Sequence, residues 1–216
     1  MMRHTAMLMA PAVMIVLAGC SGESELQRLG SDAVAAATTD RNSVTTQRGV
    51  TLRRLATGSD YDGFRNSFIS PHGRYVSLTD FSTLDLAVRD LSTGQLHRLT
   101  NAPDEVGMAL RGVFSPDGRH IVYAWAHGPG LQIRVIGFEP DEAGVPRAAE
   151  PTIIFHNAEL LPIPFDQSPD GRHILANIET PGNTNQLALI STTTGAHQAL
   201  KSFDWRRPLR AEFSPD

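Results

Sequence analysis

The residue best suited to covalent chemistry is Cys20, the only cysteine in a chain of 216 residues, which follows Leu17-Ala18-Gly19 at the end of an apolar run. Its thiol becomes a nucleophile on losing a proton. Being alone, it forms no internal disulfide in any compartment. Asp60-Tyr61-Asp62-Gly63 places two carboxylates before a glycine, as a loop around a hard cation would. The later ligands and the closing Glu are missing, so a polar turn is the better reading. His120 and His173 occupy the same repeat position as Tyr75, which makes them strand or turn surface rather than metal ligands or acid-base groups. Asp80, Asp85 and Asp90 fall near a strand connection, facing either a channel mouth or, more simply, solvent. Trp125 and Trp205 read as packing residues rather than a carbohydrate platform. The sequence has no Gly-x-Ser-x-Gly elbow, His-Glu-x-x-His helix, phosphate-binding glycine loop or Cys/His cluster. It therefore suggests no catalytic residue, metal site or cofactor.

What positions Cys20 is the segment before it. Arg3 and His4 precede an uncharged, mostly apolar stretch from Thr5 to Leu17, then small residues, then the polar Ser21-Gly22-Glu23. This is the layout of a secretory signal, too short to span a bilayer as a permanent helix. Leu17-Ala18-Gly19-Cys20 resembles the bacterial lipobox. The resemblance implies that residues 1–19 are removed and that Cys20 carries lipid, anchoring the protein to the cell envelope through the membrane. Ser21 is compatible with sorting to the periplasmic face of an outer membrane where the cell has one. Residues 20–50 then read as a tether, rich in Ser, Thr, Gly and Ala, with a helical turn or two around Glu25 to Ala37.

Composition bounds the remainder. The chain is 41% hydrophobic and 19% charged, within the globular range. Net charge is −4 and the basic residues are scattered along the chain in no run longer than two, so there is no basic face for nucleic acid.

An internal repeat organises residues 51–216. Ser70-Pro71-His72-Gly73-Arg74, Ser115-Pro116-Asp117-Gly118-Arg119 and Ser168-Pro169-Asp170-Gly171-Arg172 are copies of one motif, and Ser214-Pro215-Asp216 begins another. Their starts lie 45, 53 and 46 residues apart. Pro presets φ, Asp tolerates the next position, Gly takes the left-handed one and Ser caps the turn. Alternation follows each copy: Tyr75, Ser77 and Thr79 opposite Val76 and Leu78; Ile121, Tyr123 and Trp125 opposite Val122 and Ala124; and Ile174, Ala176 and Ile178. Third strands are expected at Leu86–Asp90, Leu131–Val135 and Leu187–Ser191. Thr93-Gly94 and Thr194-Gly195 turn into outer strands, and an insertion from Glu139 to Glu150 lengthens the middle unit. Arg74, Arg119 and Arg172 are expected to pair with carboxylates or carbonyls beside each turn.

Four antiparallel strands in about forty-five residues make a propeller blade. Over Thr51 to Asp216 the pattern resembles the TolB-like, WD40-like (PD40) family of bacterial β-propeller repeats, with His72 departing from the usual Asp. The resemblance implies an all-β propeller, six-bladed when complete, with blades near 51–101, 102–156 and 157–202 and the start of the next at 203–216. Ending inside a motif copy, the sequence reads as the N-terminal part of a longer protein. Lipobox, tether and repeats without catalytic residues suggest a binding or scaffolding module for an envelope protein, peptide or glycan. The alternative is the propeller of an exported serine peptidase similar to the prolyl-oligopeptidase family, whose Gly-x-Ser-x-Gly would lie past Asp216.

Overall fold

The computed structural model describes residues 44–47, 50–53, 67–101, 106–128 and 130–214. The signal segment, Cys20, most of the expected tether and Asp60-Tyr61-Asp62-Gly63 lie outside the described residues. The chain divides into two compact units, 1–62 and 63–216. In the first, β1 (Val44–Gln47) and β2 (Val50–Arg53) pair antiparallel, with Gln47 opposite Val50. Residues 51–53, expected to open the first blade, therefore pair with the end of the expected tether instead.

The second unit contains three antiparallel sheets among its described residues. In the first sheet β3 (Phe68–Ile69), β4 (Tyr75–Asp80), β5 (Asp85–Asp90) and β6 (Leu96–Arg98) lie in chain order. The middle sheet runs β7 (Met108–Phe114), β8 (His120–His127), β9 (Gly130–Pro140), with both β10 (Pro146–Ala148) and β11 (Thr152–Asn157) paired to β9. In the last sheet β12 (Leu161–Gln167), β13 (His173–Thr180), β14 (Thr184–Ser191) and β15 (His197–Ser202) again follow chain order. Residues 203–214, expected to start another blade, contain no strand.

The period-two pattern of β8 explains how the sheets stack. Successive strand residues point to opposite faces. Ile121, Tyr123 and Trp125 pack into a core with Tyr75, Leu86 and Val88 of the first sheet. Val122 and Ala124 pack into a second core with Ile174, Ala176 and Ile178 of the third. The middle sheet is thus buried on both faces, and each large side chain so buried contributes about 1.5–3 kcal/mol. Polar residues on the same period stitch the first sheet to the second. Ser77 Oγ donates to the Gly112 carbonyl at 2.5 Å and Thr79 Oγ1 to that of Ala109 at 3.0 Å. Gly112 is required by space, since a Cβ there would stand 2.7 Å from Leu86 Cδ1.

The insertion has a defined place. β9 extends to Pro140, and β10 folds back with Pro146 opposite Pro140. Asp141 caps the turn, its Oδ1 accepting from the backbone N–H groups of Ala143 (3.0 Å) and Val145 (2.9 Å). At its tip the Gly144 carbonyl accepts the Tyr75 hydroxyl at 2.8 Å. The insertion therefore reaches back to the first sheet.

Candidate functional site

Each motif turn is built around its serine. Ser115 N–H donates to the His120 carbonyl at 2.9 Å, Gly118 N–H to the Ser115 carbonyl at 2.8 Å, and His120 N–H to Ser115 Oγ at 2.9 Å. Ser115 Oγ donates in turn to Asp117 Oδ1 at 2.6 Å, which also accepts Arg119 N–H at 3.0 Å. Ser168, Asp170, Gly171, Arg172 and His173 repeat the network within 0.1 Å. The motif glycines 73, 118 and 171 have φ of 70°, 71° and 69°, the left-handed region that a side chain disfavours. Hydrogen bonds from serine, then from the arginine N–H, hold the Asp117 and Asp170 carboxyls below their ordinary range. Pro71, Pro116 and Pro169 stand at the first central position, and Ser70 Oγ accepts Tyr75 N–H at 3.0 Å. His72 supplies no equivalent carboxylate.

The motif arginines differ in what they do. Arg74 forms an ion pair with Asp90 at 2.9 Å and lies 5.1 Å from the Tyr75 ring centroid. Arg172 is 4.0 Å from its own turn's Asp170. All three share a backbone role, the carbonyls of Arg74, Arg119 and Arg172 accepting the N–H groups of Leu91 (2.7 Å), Phe138 (2.7 Å) and Thr192 (2.9 Å). Between the second and third turns lies a cleft of about 380 Å³, with Asp117, His120 and Asp170 among its lining residues and Val122, Val135 and Ile174 beneath.

Three expectations are revised. Asp80, Asp85 and Asp90 are buried rather than solvated. They sit at strand ends where Asp80 pairs with Arg98 (2.9 Å), Asp90 with Arg74, and Asp85 accepts the Thr100 hydroxyl (2.8 Å). Burial opposes ionisation of Asp90, but the hydrogen bonds from Arg74 and Ser92 outweigh it and hold the carboxyl far below the usual carboxylate range. Trp125 is buried as expected, whereas Trp205 is 76% exposed because residues 203–214 form no sheet to pack it. Tyr75, unlike its counterpart His120, is buried and donates its hydroxyl to the insertion.

A further cluster forms where the first strands of the three sheets approach one another. β7 bulges between Leu110 and Val113, and Arg111 within the bulge has φ of 46°, a strained value for a residue with a side chain. Its guanidinium lies 4.5 Å from the Phe165 ring centroid on β12 and 5.4 Å from that of Phe68 on β3. One Nη donates to the Leu209 carbonyl at 2.9 Å, while the buried Nε has no hydrogen-bond partner among the described residues. Burial, then repulsion from Arg210, lowers the Arg111 pKa to about 10, which leaves it charged at neutral pH. Arg210 lies 6.0 Å from the Phe68 ring and is paired to Glu212. Asp166, in a matching bulge of β12, accepts the backbone N–H groups of Gln167 and Phe213, both at 2.8 Å.

Solved structures share this arrangement of sheets. TolB from Acinetobacter baumannii aligns with a TM-score of 0.51 and 20% identity over 70% of this chain and 35% of its own. The putative TolB from Agrobacterium tumefaciens aligns with a TM-score of 0.52 and 16% identity over 74% of this chain and 59% of its own. The fold is that of a TolB-like β-propeller. The chain spans 35% and 59% of those two structures, and neither a family model nor a curated protein matches its sequence. In a propeller the blades surround a central channel, so the neighbouring first strands β3, β7 and β12 are the inner ones. Phe68, Arg111 and Phe165 are carried on these strands, with Phe165 fully buried. Sequence reading passed over Arg111, since an arginine within an apolar strand carries no motif. The repeat gave no signal either, since the place four residues before the motif serine holds Asn66, Arg111, Pro164 and Arg210 in the four copies.

Proposed function

We propose that the protein is an exported, lipid-anchored lipoprotein whose propeller is a non-catalytic binding module for an envelope protein, peptide or glycan. The observation that carries this reading is the channel-side cluster, in which the half-buried Phe68 of β3 and Arg111 of β7 stand beside the exposed Arg210, with Phe165 of β12 buried beneath. Aromatic and arginine side chains supply most of the binding energy at protein interfaces, because they combine large apolar area with directional donors. The lipobox at Cys20 supports the location, with lipid holding the propeller at the envelope and the tether giving it reach. The propeller fold alone does not decide a role.

Affinity capture from detergent-solubilised envelope with the lipidated full chain tests the reading. Retention of a defined partner, competed by soluble full chain, is the expected result. No specific partner at any salt concentration would overturn it.

A further inference from the structure

The channel-side cluster holds a cation without an anion. Among the described residues no carboxylate pairs with Arg111, whose guanidinium makes one hydrogen bond, to the Leu209 carbonyl. An arginine offers five N–H donors, so most of its capacity is unused. The nearby carboxylates are engaged elsewhere: Glu212 with Arg210, and Asp166 with two backbone N–H groups. Removing charge from water without a partner is unfavourable, and the left-handed backbone of Arg111 adds strain. Both costs are borne at one residue, where three inner strands meet.

Four residues before the motif serine the four copies hold Asn66, Arg111, Pro164 and Arg210, so the arginine belongs to two of them. Counting back four residues from the motif serines Ser115 and Ser214 reaches Arg111 and Arg210. The two flank one ring, Phe68.

We infer that Arg111, set between Phe68 and Phe165 with Arg210 beside it, is a binding site for one carboxylate of a peptide segment that enters the channel side of the propeller. This deepens, and rests on, the binding-module reading. The charge argues for a carboxylate: Arg210 is paired with Glu212, while Arg111 has no carboxylate paired to it among the described residues, so one monoanion matches it and a dianionic phosphate exceeds it. The guanidinium fork matches a carboxylate through parallel N–H···O bonds. The half-buried Phe68 ring and Leu209, 85% exposed, favour an acidic residue next to apolar ones.

The test is an NMR titration of the full chain with acetyl-Ala-Phe-Glu-Phe-amide and with the same peptide carrying Gln in place of Glu. The Glu peptide is expected to bind about tenfold more tightly, the ratio that ~1.4 kcal/mol represents. Arg111→Gln abolishes that discrimination. Arg111→Lys keeps the charge but not the fork, and reduces discrimination without removing it, which guards against a Gln variant that fails to fold. Equal binding of the two peptides, undiminished discrimination in both variants, or displacement of the Glu peptide by inorganic phosphate at lower concentration than by acetate would each overturn the proposal. Envelope capture separates this failure from that of the broader reading. Equal capture by wild type and Arg111→Gln overturns the arginine site alone, whereas no capture by either overturns the binding module.

Discussion

At the scale of single residues, the motif serine is the hub of each turn, donating to a carboxylate while accepting a backbone N–H. Replacing Ser115 with Ala leaves His120 N–H and Asp117 without that partner, and urea unfolding is expected to show a loss of about 1–3 kcal/mol. Ser70→Ala should cost less, because His72 offers no carboxylate to lose; an equal cost would show that the Ser–Asp bond contributes nothing. The carboxylates also set a pH dependence. Asp90 is held far below its ordinary range, with Asp80, Asp117 and Asp170 lowered as well. A depressed folded-state pKa stabilises above the unfolded value, about 3.9 for Asp, and that contribution fades as pH falls through the folded one. Melting temperature should therefore fall steeply below about pH 4. Asp90→Asn should flatten that slope while lowering stability at neutral pH; an unchanged slope would remove Asp90 from the account.

At the scale of elements, the alternation along β8 and the insertion between β9 and β11 differ in how they are specified. The β8 pattern is local, and Ile121 and Val122 face opposite cores for the same reason that neighbours in any strand do. The insertion is tied to the first blade by the Tyr75 hydroxyl on the Gly144 carbonyl, with the Arg74 guanidinium packed against Gly144. Tyr75→Phe is expected to cost only about 0.5–1.5 kcal/mol overall. Hydrogen exchange at residues 141–148 should nevertheless accelerate, because local opening needs less than global unfolding. Unchanged exchange there would mean that the hairpin is fastened by its pairing with β9 and its contact with Arg74 instead. Trp205 belongs to this scale too: a residue expected in blade packing is exposed where no sheet forms around it.

At the scale of the whole molecule, the proposed anchoring and the proposed binding are separable. Cys20→Ser is expected to move the protein from the membrane fraction to the soluble fraction on cell fractionation, and to remove a lipid-sized mass from the N-terminal peptide. The variant should melt at the wild-type temperature, since Cys20 precedes every described strand in the sequence. Membrane association that survives the substitution would refute the lipobox reading. A single acyl chain holds weakly, at roughly 0.8 kcal/mol per buried CH₂, so stable anchoring needs more than one chain on the cysteine.

The sequence alone determined the repeat, its turn chemistry and the two-faced strands. Those follow from interactions within a few residues: a serine capping its own turn, a glycine at φ near 70°, side chains alternating with period two. It also singled out Cys20, because the proposed export and lipidation signal is itself a linear pattern. Only the tertiary structure decided which groups meet across blades. Tyr75 touches Gly144 from 69 positions away, and Arg111 reaches Leu209 from 98. A solitary arginine in a strand announces nothing until the bulge turns it towards Phe68 and Phe165. Contacts of that kind depend on how separate sheets stack, which no local pattern of residues encodes.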